Sequence, residues 1–128
     1  HDVGDQVLRM VATCLRRVSG GGRAYRYGGE EFAVIFPNKD LERAMPHLEE
    51  LRETISMAGF VLRGRKRTKQ KPEGQKSKDS GKGNLQVTVS IGVATRDDKN
   101  TTPAQLIKAA DQALYKAKKG GRNQVCKA

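Results

Sequence analysis

Two strand-forming segments meet at a pair of glycines. Ala24-Tyr25-Arg26-Tyr27 lies on one side, Phe32-Ala33-Val34-Ile35-Phe36 on the other, and Gly28-Gly29-Glu30-Glu31 between them. Aromatic and β-branched runs favour strands, and Pro37-Asn38 stops the second one. The pattern predicts a hairpin. Two glycines at its turn predict a two-residue connection, because glycine accepts positive φ without a Cβ clash. The tip is then bare of side chains, so another molecule can approach its backbone closely. Glu30 and Glu31 follow at once. Neighbouring side chains on an extended chain point to opposite faces, so one carboxylate can hold a metal while the other serves a different surface.

The rest of the chain alternates helices and strands around this hairpin. Val7, Leu8, Val11, Cys14 and Leu15 recur at helical spacing, predicting a helix from Asp5 to Arg17, capped by Asp2 or Asp5 and ended by Ser19-Gly20-Gly21-Gly22. A second helix is predicted from Asp40 to about Met57, with Leu41, Met45, Leu48, Leu51 and Ile55 on one face. Pro46 either kinks it or marks a start near Met45. Phe60-Val61-Leu62 begins a strand, and Leu85 to Ala94 is the best strand in the chain, alternating and rich in β-branched residues. Thr102-Pro103-Ala104-Gln105 opens the last helix with a cap, a first-turn proline and a capping-box glutamine. Leu106, Ile107, Ala110, Ala113, Leu114 and Ala117 are its core face, Gly120-Gly121 ends it, and Asn123 to Cys126 returns as a strand. The order α-β-β-α-β-β-α-β predicts an α+β domain with helices packed on a mostly antiparallel sheet.

At 128 residues, residues 1–128 are read as one domain. No apolar run approaches the roughly 20 residues that span a bilayer. The chain begins at His1 without a methionine, so sensor or membrane segments upstream stay open. Cys14 and Cys126 match no metal-ligand spacing and read as reduced thiols. The net charge of +11 is local in origin: residues 63 to 84 hold nine Lys and Arg against Glu73 and Asp79. That stretch has no apolar period and reads as a long basic hairpin loop. It is either a solvated loop or a surface for nucleic acid, anionic membrane or an acidic partner domain. It has no interleaved aromatics, which argues against stacking on single-stranded bases.

Four motifs in order resemble the catalytic domain of the GGDEF family of bacterial diguanylate cyclases. They are His1-Asp2-Val3-Gly4-Asp5-Gln6-Val7-Leu8, then Arg26-Tyr27-Gly28-Gly29-Glu30-Glu31-Phe32, then Val87 to Val93, then Ala110 to Lys118 followed by Gly121-Arg122-Asn123. The resemblance implies a ferredoxin-like, palm-type sheet. It implies a homodimer in which each domain holds one GTP, and the condensation of two GTP into cyclic di-GMP with release of pyrophosphate, aided by Mg²⁺ or Mn²⁺. It also implies a bacterial, cytoplasmic setting, or the cytoplasmic part of a membrane-anchored protein.

By that resemblance Glu30 is the metal-binding and catalytic acid, where an exposed turn glutamate would otherwise serve only solubility. Glu31 either assists a second metal or supports the hairpin. Gly28 and Gly29 let the backbone approach phosphates and ribose. Asp5 accepts hydrogen bonds from the guanine edge, or is an ordinary cap; Leu8 packs on the base, or in the core. Lys118 and Arg122 contact phosphate, or complement the negative end of the last helix. Asp111 and Tyr115 are motif residues with structural roles.

The chain departs from the family in two places. The family's first strand, with D-x-D-x-F-K and then N-D, has no counterpart after His1, so residues 1–128 alone are expected to bind GTP poorly and to be inactive. A longer protein would be an active cyclase; the alternative is a degenerate module that binds GTP or dimerises without catalysis. The family's inhibitory R-x-x-D product site falls on Ser19 and Gly22, which carry no charge, so no such site is expected.

Overall fold

A computed structural model describes residues 2–58, 60–61 and 84–128. The basic stretch falls almost wholly outside these residues. Helix α1 spans Asp2–Arg16, strands β1 and β2 span Arg23–Arg26 and Phe32–Ile35, and helix α2 spans Leu41–Ala58. Short strands β3 (Phe60–Val61), β4 (Asn84–Leu85) and β5 (Ile91–Val93) follow, then helix α3 (Pro103–Lys119) and strand β6 (Val125–Lys127).

The core is the seam between α1 and α2. Val11 and Leu15 from α1 meet Leu48, Leu51 and Ile55 from α2, all buried. Burying each such side chain contributes about 1.5–3 kcal/mol. Ala24, Phe32 and Val34 of the hairpin and Ile91, Val93 and Val125 of the β5–β6 pair pack against this cluster. Both helices therefore lie on a layer of strands, the α+β arrangement expected.

Asp40 starts α2: its side chain accepts from the Arg43 amide at 2.9 Å and its carbonyl from the Ala44 amide at 3.0 Å. The helix runs through Pro46 instead of beginning at Met45. Helix α3 opens as expected. The Thr102 side chain accepts from the Gln105 amide at 3.2 Å, and the Gln105 side chain accepts from the Thr102 amide at 3.2 Å. Thr102→Ala is expected to cost about 1 kcal/mol, read as a lower denaturant midpoint at unchanged slope.

The strands differ from expectation in extent and pairing. Among the described residues they form three two-stranded ladders, β1–β2 and β3–β4 antiparallel and β5–β6 parallel. The run from Leu85 to Ala94 is not one strand, because residues 86–90 lie between β4 and β5 without a ladder. Val87 and Val89 still pack on the core. Alternation in the sequence reports which side chains turn inward, and a ladder needs a neighbouring strand as well.

Helix α3 meets β5 at very short range. A Cβ built on Gly92 would lie 2.2 Å from the Leu114 amide nitrogen and 2.3 Å from the Ala110 carbonyl oxygen. Ala113 and Ala117 on the same helix are fully buried. Ile107, expected in the core, is 43% exposed, because this close approach is made through small residues.

Candidate active site

The hairpin tip is held from within. Arg26 and Phe32 face each other as the last ladder pair. Beyond them the Tyr27 and Gly28 amides donate to the Glu31 carbonyl at 2.8 and 3.1 Å, and the Glu31 amide donates to the Gly28 carbonyl at 3.3 Å. The turn therefore centres on Gly29-Glu30, one residue later than the glycine pair, and neither Gly28 nor Gly29 takes positive φ. A Cβ at either glycine would meet no atom within 4 Å. The glycines are required neither by backbone conformation nor by packing within the described chain. What they provide is access.

Arg26 braces this tip, a role the sequence reading did not see. Its Nε donates to the Gly28 carbonyl at 3.0 Å and to the Gly29 carbonyl at 3.1 Å, its Nη2 also donates to Gly29, and its guanidinium lies 5.5 Å from the centre of the Phe32 ring. Glu30 and Glu31 are both exposed beside it.

Asp5 and Leu8 lie in the first half of α1. Asp5 is three residues inside the helix and exposed, so it is not the cap. Leu8 is half-buried, and the partly buried α1 side chains packed against the core cluster are Val7, Met10 and Cys14.

Lys118 and Arg122 flank the end of α3. The Arg122 amide donates to the Ala117 carbonyl at 2.9 Å and the Gly121 amide to the Lys118 carbonyl at 3.4 Å, with Gly121 at φ +118°, a Schellman cap. Arg122 itself sits at φ +62°, and its Nη1 donates to the Lys118 carbonyl at 3.4 Å. The guanidinium thus complements the helix end while staying exposed. Arg52 of α2 braces the same turn, donating to Asn123 Oδ1 at 2.8 Å and pairing with Glu49 at 2.8 Å. A contact between residues so distant in sequence has no local signature.

The predicted residues thus form three groups: acids and glycines at the tip, Asp5 and Leu8 on α1, and two cations at the end of α3. No hydrogen bond or ion pair joins one group to another among the described residues.

The positions expected to lack a product site are occupied by a different network. Ser19 Oγ donates to Glu50 Oε1 at 2.8 Å and lies 2.7 Å from His47 Nδ1. A hydroxyl donates only once, so His47 Nδ1 is the donor of the second bond. A Cβ on Gly22 would press on the Phe36 ring at 2.8 Å. At Ser19, where the inhibitory motif has its arginine, the hydroxyl is bonded to the Glu50 carboxylate of α2, and Arg17 lines the same recess.

No group of three or more His, Cys, Asp or Glu suited to a metal ion occurs among the described residues. The exposed tip instead offers two carboxylates. That set fits Mg²⁺, which takes one or two protein carboxylates and completes its shell with substrate phosphates and water.

The family model described as "Diguanylate cyclase, GGDEF domain" matches residues 1–124. The chain belongs to the GGDEF family. It is 37% identical over 129 residues to the response regulator PleD of Caulobacter vibrioides, covering 98% of this chain and 24% of PleD. Among solved structures it resembles the GGDEF domain of DgcB from Caulobacter crescentus in complex with c-di-GMP. The TM-score is 0.78 at 36% identity, covering 99% of this chain and 64% of that one. It also resembles the active GGEEF domain of a diguanylate cyclase from Vibrio cholerae, with TM-score 0.71 at 29% identity, covering 99% of this chain and 69% of that one. The tip of this GGDEF domain, Gly28-Gly29-Glu30-Glu31-Phe32, spells the same GGEEF variant. The chain spans about a quarter of PleD. No helix among the described residues is long and apolar enough to cross a membrane.

Proposed function

We propose that this chain is the nucleotide-condensing domain of a homodimeric diguanylate cyclase. Two GTP molecules, one per domain, become cyclic di-GMP and two pyrophosphates as the 3′-hydroxyl of each attacks the α-phosphate of the other. The observation that carries this reading is the tip: two glycines with open space around them, next to two exposed carboxylates. Phosphoryl transfer asks a protein mainly to align the reactants and offset developing charge. Glu30 would hold Mg²⁺ or Mn²⁺ and is the catalytic carboxylate that takes the proton of the attacking hydroxyl, with Glu31 beside it. When bound, the metal supplies positive charge against the reacting phosphate. Gly28 and Gly29 admit phosphate and ribose to the backbone. Asp5 accepts from the guanine edge, Leu8 packs on the base, and Lys118 and Arg122 contact phosphates. A sensor or regulatory segment elsewhere in the protein brings two domains together, and the domain works in the cytoplasm, where GTP is available.

Pyrophosphate release by the full-length protein tests this. At dilute concentration the rate per protomer is expected to rise with protein concentration, as two facing sites require. GTP binding without pyrophosphate release would instead identify a module that binds nucleotide or dimerises without catalysis. Deleting residues 65–82 of the basic stretch is a separate arm; unchanged affinity for DNA and anionic vesicles would dismiss a surface role for it.

Product inhibition through the Ser19–Gly22 loop is not expected. Glu50 at Ser19 repels a phosphodiester, and neither Ser19 nor Gly22 carries the charge that the inhibitory motif places there. Added cyclic di-GMP should give no calorimetric heat at this loop. Micromolar binding lost on Ser19→Ala and His47→Ala would contradict that.

A further inference from the structure

Arg26 is exposed, yet three of its hydrogen bonds end on two consecutive carbonyls of the tip, those of Gly28 and Gly29. Every peptide here is trans, so a carbonyl and the following N–H point in opposite directions. Drawing the Gly28 and Gly29 carbonyls onto the guanidinium therefore turns the Gly29 and Glu30 N–H groups away from it. Neither of these two amides donates within the described structure, whereas those of Tyr27, Gly28 and Glu31 are all engaged in the turn. Apart from each glycine's immediate chain neighbours, no protein atom stands within 4 Å of where a Cβ would project from Gly28 or Gly29. The tip thus presents two successive N–H donors turned away from the guanidinium, a concavity suited to an anion. Beyond the backbone bonds that close the turn, the one side chain that fixes its peptide planes is Arg26, which Phe32 backs through a cation–π contact.

We infer that Arg26 is a positioning residue: its guanidinium orients the tip so that the Gly29 and Glu30 amides receive a phosphate oxygen of the nucleotide, with the Glu30 carboxylate alongside. This rests on the reading of the tip as the nucleotide end of the domain. It differs from a direct role, in which the Arg26 charge itself would bind phosphate. A lysine retains charge but not the planar fork that reaches two carbonyls.

The test uses the full-length protein, with Arg26→Lys beside wild type, and two readouts. In wild type, GTP is expected to shift the amide proton resonances of Gly29 and Glu30, while inorganic pyrophosphate alone shows whether free phosphate suffices. In Arg26→Lys those shifts should vanish and kcat should fall about tenfold or more, with a smaller change in KM, because the loss is one of alignment. Arg26→Lys with wild-type kcat, or wild-type amides that ignore both probes, would overturn the inference even if cyclic di-GMP is made. Amide shifts in a wild-type protein that makes no cyclic di-GMP would uphold it and defeat the cyclase reading instead. The wild-type amide titration decides the matter if the variant does not fold.

Discussion

Gly92→Ala is expected to destabilise the domain by about 3 kcal/mol or more, the upper end of what overpacking costs. The added methyl would fall 2.2 Å from the Leu114 nitrogen and 2.3 Å from the Ala110 oxygen. Those atoms are the donor and acceptor of one helical hydrogen bond, so the methyl would be driven into the ladder of α3. Side chains can rotate away from an intruder, but these are backbone atoms inside a helix. Relief requires α3 to lift off β5, which would uncover Ala113 and Ala117 and loosen β6 beside it. Thermal melting checks this, with a fall of roughly 10 °C or more expected. Gly28→Ala is the control, because its methyl meets nothing within 4 Å, and stability should stay within about 0.5 kcal/mol. Equal melting temperatures for Gly92→Ala and wild type would show that strand and helix do not approach as described.

Glu30→Gln in the full-length protein is expected to lower kcat at least about a hundredfold while the fold survives, because the side chain is exposed and its shape is kept. The loss is one of charge. A neutral amide offers a single weak oxygen to a hard cation, and it cannot take a proton from an attacking hydroxyl. Titrating Mg²⁺ separates the two consequences: a raised metal requirement reports the ligand role, and a rate that stays low at saturating metal reports the acid–base role. Glu31→Gln is expected to be milder. The backbone of Glu31 closes the turn through bonds to Tyr27 and Gly28, and these do not depend on its side chain.

Much of this arrangement is legible in the residues. The caps of α3 follow from Thr102, Pro103 and Gln105, and its end from Gly120-Gly121, because capping is local chemistry. The hairpin follows from two strand-forming runs around a glycine pair. The turn itself lies one residue further on, at Gly29-Glu30, because the Gly28 carbonyl and the Glu31 amide close it. The strand read from Leu85 to Ala94 shows the limit of periodicity. Val87 and Val89 do turn inward, while the ladder depends on neighbours that alternation does not reveal. Gly92 was legible only as a motif letter, since its reason lies in the backbone of a helix beginning eleven residues later. The Arg26 brace, the Ser19–His47–Glu50 network and the Arg52–Asn123 bond are side-chain geometry, and composition carries no trace of them.

The most direct measurement of the central claim is the product formed from GTP labelled at its α-phosphate, with Mg²⁺, by the full-length wild type and by Glu30→Gln. The wild type should convert label into cyclic di-GMP with two pyrophosphates released per molecule, and Glu30→Gln should bind GTP but convert almost none. Equal conversion by the two proteins, or GTP bound by the wild type with no cyclic di-GMP formed, would contradict the account.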